Sequence, residues 1–137
     1  MKEESLFFIK ENRELTTRFV FKHQYLTSYD SFLQRSPSRC AVEALTNMVV
    51  WQIHYDDLQD VYNTSPIGNL IGRLTVENIY LAKSNKEFSY LSESPEERYL
   101  KLMKEQPDLF QFVPLKHIAT YLGITPQALS RIRKRIS

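Results

Sequence analysis

The last 23 residues, LKHIATYLGITPQALSRIRKRIS, constrain the fold of this chain more than any other stretch. Gly123 suits a left-handed helix end, Thr125 suits an N-cap, and Pro126 suits the first position of the helix that follows. Apolar residues at helical spacing predict one helix on each side: Leu115, Ile118, Ala119 and Leu122 before the glycine, and Ala128, Leu129 and Ile132 after it. Two short helices joined by a tight turn around glycine are typical of a helix-turn-helix.

The outer face of the second helix carries the polar and basic side chains of this segment. The segment has five Lys or Arg and no Asp or Glu, and subtracting these five charges from the total of +2 leaves −3 for residues 1–114. A basic segment on an acidic body favours contact with a polyanion, here double-stranded DNA. Gln and Arg can read base edges, whereas Ser and Lys suit phosphates, so the predicted contacts are Thr125, Gln127, Ser130, Arg131 and Lys134.

A chain of 137 residues is long enough for one ordinary domain or two small ones. Its single cysteine, Cys40, cannot form an intrachain disulfide and fits a reducing cytoplasm. We find no spacing typical of a metal site, a phosphate loop or a nucleophile with its base, so we expect no metal, no cofactor and no catalytic activity. No stretch approaches the length of a membrane span, and we expect no membrane partner.

The first half of the chain reads mainly as strands. Segments rich in aromatic and β-branched residues predict strands over 6–10, 14–21, 41–44 and 48–53, with hairpin turns at Glu11-Asn12-Arg13 and Thr46-Asn47. Trp51, Tyr25 and Phe32 are expected to lie in the core. After Ile53 the period changes, and Tyr55 to Tyr62 predicts a short helix.

A long helix is predicted from Pro66 to about Leu91, with Ser65 as its N-cap. A helix of that length spans about 39 Å, which exceeds the reach of a small domain. Its apolar residues recur in alternating steps of four and three, which favours a dimer seam through Ile67, Ile71, Leu74, Asn78 and Leu81. The alternative is a stripe that packs on the chain's own core. Gly68 and Gly72 either allow a close neighbour or soften the helix.

A capping box, Ser94-Pro95-Glu96-Glu97, opens another helix through about Gln106. Its predicted buried residues are Tyr99, Leu100, Leu102 and Met103. The predicted fold class is therefore α+β with three parts: residues 1–64 mostly in strands, a linker and dimerisation helix over 65–93, and a helix-turn-helix domain over 94–137.

This order of parts resembles the cyclic-AMP receptor protein/Fnr (Crp/Fnr) family of bacterial transcription regulators. The most specific likeness lies in SPEERYLKLMKEQPDLFQFVPLKHIATYLGITPQALSRIRKRI and in LTTRFVFKHQYLTSYDSFLQRSPS. The resemblance implies a homodimeric, cytoplasmic regulator with a cyclic-nucleotide-binding-like β-roll over 1–64. The roll would be partial, since the family places further strands and a helix before the point matched by Leu6. The β-hairpin wing that many relatives carry after the reading helix has no counterpart here.

The nucleotide pocket of the family does not carry over. Family members that bind cyclic nucleotide use a Gly-Glu pair and later an Arg, a small hydroxyl residue and Ala. Thr27-Ser28 and Ser38-Arg39-Cys40 stand at those places, so Arg39 comes one residue late, which in an extended segment turns a side chain to the other face. We expect no cyclic nucleotide. Another small effector at Ser28, Ser38 and Arg39 is the alternative to a purely structural β-module.

Two functions therefore compete. The first is a sequence-specific DNA-binding transcription regulator that acts as a homodimer. The second is an effector-sensing or protein-interaction module without direct DNA binding, which the incomplete roll and absent wing favour. The target site, the effector and the sign of regulation do not follow from the residues.

Overall fold

Strands come first along the chain and helices follow. The structure, a computed structural model, describes residues 7–11 by their backbone and residues 15–136. The elements are β1 Phe7–Glu11, β2 Leu15–Val20, α1 Tyr29–Gln34, β3 Ala41–Ala44, α2 Tyr55–Thr64, α3 Gly68–Ser92, α4 Pro95–Glu105, α5 Leu109–Phe112, α6 Leu115–Tyr121 and α7 Pro126–Ile136. This mixture of helix and strand confirms the predicted α+β class at that level. Among the described residues, no helix combines the length and the apolar character needed to cross a bilayer.

The strands form one antiparallel sheet in the order β2-β1-β3. Phe7 faces Val20 on one side and Ala44 on the other, so β1 is the central strand. The pairing of β1 with β2 shifts between Phe8 and Lys10. Three of the four predicted strands are confirmed to within a residue or two at their ends. Residues 12–14, on which most of the first predicted turn falls, lie outside the described residues.

The fourth predicted strand, Met48–Ile53, is wrong. The chain passes from β3 to α2 without regular structure between Asn47 and His54. Trp51, predicted to be in the core, is 95% exposed, and Tyr25 is exposed as well, whereas Phe32 is partly buried. The residues there have strand-forming side chains, but a strand also needs a partner that accepts its hydrogen bonds. β3 instead pairs with β1, and no described strand lies along its other edge.

The loop between β2 and β3 contains a helix that the sequence did not predict. α1 ends at Arg35, which takes the left-handed conformation (φ 53°), and its N–H donates to the carbonyl of Phe32. The Arg35 side chain then crosses to α2, where its guanidinium lies 5.1 Å from the centre of the Tyr55 ring and donates to Asp56 at 3.1 Å. These contacts fix α1 against the start of α2.

The long helix α3 begins two residues later than predicted. Ser65 is the C-cap of α2 and not the N-cap of α3, because its N–H donates to Val61 and its carbonyl accepts from Gly68 at 3.1 Å. A Cβ at Gly68 would lie 2.3 Å from the Val61 carbonyl oxygen, and one at Gly72 would lie 2.6 Å from the Tyr62 ring. Both glycines therefore allow α2 and α3 to approach closely, which confirms the first of the two readings given for them.

The main core lies between α4, α5, α6 and α7, and one strand residue joins it. Tyr99 and Leu102 supply the buried side of α4, whereas Leu100 and Met103 are each 43% exposed, so their predicted burial is wrong. Burial of an apolar side chain as large as Leu102 stabilises the folded chain by about 1.5–3 kcal/mol. The core consists of Phe19, Tyr99, Leu102, Leu109, Val113, Ile118, Ala119, Leu122, Leu129 and Ile132. Since Phe19 belongs to β2, the sheet and the C-terminal helices share one apolar cluster. The predicted division at residues 64 and 93 stays a prediction.

Candidate nucleic-acid interface

The turn between α6 and α7 has the local structure that its residues predicted. Gly123 adopts φ +74°, a conformation that costs glycine little and other residues much more. The N–H of Gly123 donates to Thr120 at 3.1 Å, and that of Ile124 donates to Ala119 at 3.0 Å. The Thr125 hydroxyl then accepts from the N–H of Ala128 at 3.2 Å and caps α7.

The inner faces of α6 and α7 hold these two helices together. Ile118 and Ala119 of α6 are fully buried, and so is Leu129 of α7, with Ile132 almost so. Ala119 and Leu129 both belong to the buried core cluster, and α6 and α7 contact each other directly. The relative orientation of the two helices is therefore determined by close packing in the core.

The outer face of α7 is exposed and basic. The five predicted contact residues all lie on the surface: Thr125, Gln127, Ser130, Arg131 and Lys134. From Gln127 onwards they recur at steps of three, one and three, so they share one side of the helix. No acidic residue occurs in α7. Arg135, by contrast, pairs with Glu96 of α4 and is directed toward the rest of the protein.

Two residues outside the helix pair hold its turn, and we call Tyr90 and Arg98 the turn clamp. The Tyr90 hydroxyl, from α3, donates to the carbonyl of Tyr121. The Arg98 guanidinium, from α4, donates to the carbonyl of Leu122 at 3.1 and 3.2 Å and lies 5.0 Å from the centre of the Tyr90 ring. Carbonyls at the end of a helix have no N–H partner within the helix, and here the turn clamp donates the missing hydrogen bonds.

Lys86 of α3 lies beside the turn clamp and joins three elements. Its ammonium lies 4.0 Å from the centre of the Tyr121 ring on α6 and 5.6 Å from that of Tyr90, and it donates to the carbonyl of Thr17 on β2. Burial disfavours the charged form and lowers the pKa of Lys86 to about 8. Burial also raises the pKa of Tyr90 and of Tyr121.

A second contact ties α6 to the sheet. The hydroxyls of Thr16 and Thr120 lie 2.9 Å apart, and the N–H of Thr16 donates to the Thr120 hydroxyl at 3.3 Å. Thr16 is buried, so this pair satisfies polar groups that would otherwise be desolvated without a partner. The sequence did not indicate these contacts or the turn clamp, because each joins residues far apart in the chain.

The predicted effector residues are only partly brought together. Ser28 and Ser38 line a groove of about 490 Å³ between α1, β3 and the start of α2, together with Arg35 and His54. Arg39 is not among its lining residues, and its guanidinium donates to Asp30 at 2.9 Å. That hydrogen bond, aided by the Ser28 hydroxyl, lowers the pKa of Asp30 to about 2. The cation at the groove is Arg35, which the sequence did not single out.

The predicted dimer seam lies on an exposed side of α3. Its four apolar residues are between 46% and 59% exposed, and Asn78 is exposed with them: Ile67, Ile71, Leu74 and Leu81. The buried side of the helix carries Gly68 and Gly72, which face α2. These residues are therefore outside the buried core of the described chain. The dimer seam stays a prediction.

Comparison with known proteins identifies no family for this chain. Neither the models of protein families nor the sequences of curated proteins match it. What the chain does must be inferred from its own contacts and charges.

Proposed function

We propose that this chain is a sequence-specific DNA-binding regulator that acts as a homodimer. In this proposal α6 and α7 form a helix-turn-helix, and α7 enters the major groove. One observation carries it: α7 buries Leu129 and Ile132 while its opposite face presents exposed Gln127, Arg131 and Lys134 without an acidic neighbour on the helix. A helix with one face packed and the other basic fits a groove lined by phosphates.

The proposed contacts divide by chemistry. Arg131 reads guanine through its paired N–H donors, and Gln127 reads adenine through its amide. Thr125, Ser130 and Lys134 contact the phosphate backbone, where the N-terminal end of α7 adds its positive dipole. Specificity therefore depends on Arg131 and Gln127, whereas Lys134 contributes to binding of any sequence.

The homodimer is proposed through α3. Two copies joined along the seam bury apolar side chains that each copy exposes, and a twofold axis places the two reading helices on successive turns of one face of the duplex. The target is then a near-palindrome with half-sites about 34–36 Å apart. The sheet and α1 are proposed as the partial β-roll that the Crp/Fnr resemblance implies, followed by the linker helix over 65–93 and the reading domain over 94–137.

A selection from random duplexes, followed by gel shifts, tests the proposal. We expect one near-palindromic consensus. Arg131→Ala should weaken binding to this consensus by about 1–3 kcal/mol and relax the base preference at one position. Lys134→Ala should weaken binding to every sequence and lower the slope of log binding constant against log salt concentration by about 1. The matched control is the pair Lys83→Ala and Lys104→Ala, which removes two exposed cations from α3 and α4.

The competing function is an effector-sensing or interaction module without direct DNA binding. The groove lined by Ser28, Ser38 and Arg35 is the observation that favours it. The same selection separates the two functions. Binding that yields no consensus would refute the DNA-reading proposal and favour the module. So would binding that falls equally in a double variant, Arg131→Ala with Lys134→Ala, and in the control pair.

A further inference from the structure

Two residues of extended backbone, Glu93 and Ser94, connect α3 to α4, and we call them the joint. Glu93 ends α3 with φ −106° and ψ 142°, and Ser94 begins α4 with φ −68° and ψ 159°. Short links at the ends of helices are where proteins bend, since a few backbone dihedrals there can absorb a large rotation. Whether α4 to α7 keep one orientation relative to α3 therefore depends on the side chains that cross the joint.

The turn clamp crosses the joint from both directions. Arg98, in α4, donates to the carbonyl of Glu93 and, through two other N–H groups, to that of Leu122 at 3.1 and 3.2 Å. Tyr90, which precedes the joint by one helical turn, donates to the carbonyl of Tyr121. Because a guanidinium presents its donors in a fixed plane, Arg98 holds the joint and the end of α6 in one geometry.

The sheet holds α6 as well. Lys86 of α3 lies over the ring of Tyr121 and donates to the carbonyl of Thr17 on β2, so one side chain meets three elements. The Phe19 ring of β2 lies 4.9 Å from the Tyr121 ring. Contacts from α3, α4 and β2 therefore converge on α6. This helix cannot rotate about the joint without breaking hydrogen bonds whose lengths vary by only about 0.5 Å.

The core carries this constraint to α7, because Leu129 and Ile132 belong to the same buried cluster as Ile118 of α6. We infer that the turn clamp, Tyr90 and Arg98, determines the half-site spacing that the dimer accepts, by fixing the direction of α7 relative to the α3 seam. The inference rests on the proposed function, in which α3 pairs two copies and α7 enters the groove. Tyr90 and Arg98 are positioning residues, since they contact the turn after α6 and lie outside the proposed DNA contacts.

The two reading helices of a dimer must match the helical repeat of the duplex. One base pair more or fewer between the half-sites moves one of them by about 3.4 Å along the duplex and turns it by about 35° around the axis. A clamp whose hydrogen bonds tolerate about 0.5 Å cannot follow that movement. On the altered duplex, the wild-type dimer must release one half-site or break the clamp. A dimer without the clamp can bend at the joint and keep both half-sites.

Gel shifts on spacing variants of the selected consensus test the inference. The duplexes carry the selected spacing, one base pair more, one base pair fewer, or a single half-site. We expect the wild type to bind the altered spacings at least about tenfold more weakly than the selected one. In the double variant Tyr90→Phe with Arg98→Ala this ratio should fall to about threefold or less, while affinity for the single half-site stays as in the wild type.

The matched control is Tyr80→Phe with Arg73→Ala, which changes the same two residue types within α3 and the net charge equally. Tyr80 is 68% exposed, and Arg73 pairs with Glu77 of the same helix at 2.7 Å. The control should keep the spacing ratio of the wild type. Urea unfolding monitors stability in every variant. If the double clamp variant is unfolded at the assay temperature, Tyr90→Phe alone decides, because it keeps the ring and should still lower the ratio at least about twofold.

A wild type that binds all spacings equally would overturn the inference, and so would a clamp variant that keeps the wild-type ratio. A clamp variant whose affinity falls as much for the single half-site as for the paired site would overturn it too, since the clamp would then only shape the turn. Each of these results leaves the proposed function standing, because a consensus has been selected. A chain that selects no consensus overturns the proposed function, and the inference with it.

Discussion

Lys86 should make the stability of this protein depend on pH in a way that no exposed lysine would. Its pKa is about 8 in the folded chain, against 10.5 for an ordinary lysine. Between these values the unfolded chain binds more protons than the folded one, so the free energy of unfolding rises with pH. Applied to the two pKa values, linkage gives a rise of at most about 2 kcal/mol between pH 7 and pH 9.5.

The experiment compares wild type with Lys86→Met by urea unfolding at pH 7, 8.5 and 9.5. The difference in unfolding free energy between the two should change in favour of the wild type as pH rises. Burial raises the pKa of Tyr90 and of Tyr121 above the ordinary value of 10, so both stay protonated in the folded chain over this range. Lys86→Arg is the matched control, since arginine keeps its charge throughout this range. A difference that stays flat from pH 7 to 9.5 would show that Lys86 is not held in an apolar site.

Three further substitutions test individual features of the structure. Gly123→Ala forces a left-handed residue with a side chain and brings its Cβ to 2.9 Å from the Tyr90 ring, so calorimetry should show a loss of about 1–2 kcal/mol and a lower Tm; an unchanged Tm would contradict the turn. Ser94→Ala removes the reciprocal capping box with Glu97, which should cost about 1 kcal/mol in urea unfolding, and no loss would mean that the cap is not formed. Leu74→Asp places two like charges against each other at the proposed seam, whereas in the single chain residue 74 is exposed, so the fold should be retained. Sedimentation should then show self-association weakened about tenfold or more. Dimers as tight as those of the wild type would refute the seam.

The predictions that succeeded depend on neighbours within a few residues. The capping box at Ser94, the left-handed Gly123 and the cap at Thr125 each follow from hydrogen bonds that span three or four positions. The exposed side of α7 follows from its period in the same way. The turn at Gly123, the cap at Thr125 and the exposed side of α7 define the surface proposed to contact DNA, so that part of the candidate site could be predicted from the sequence.

The predictions that failed depend on partners far along the chain. Met48–Ile53 has the residues of a strand but no described strand beside it. Ser65 has the residue type of an N-cap but closes α2 instead. Arg39 was predicted as an effector residue together with Ser28 and Ser38, yet it pairs with Asp30, and Arg35 lines the groove instead.

By itself the sequence determined helices α4, α6 and α7, the caps at Ser94 and Thr125 and the charge of the C-terminal face, because these depend on backbone geometry and side chains within one or two turns. Only the tertiary structure decided how that face is held: Lys86, Tyr90 and Arg98 come from two other helices to meet the turn after α6, and Thr16 reaches α6 from the sheet. The physical reason is the separation along the chain between the residues that interact. A cap is satisfied by atoms already adjacent in the chain, whereas these contacts form only after packing of the core has brought distant segments together.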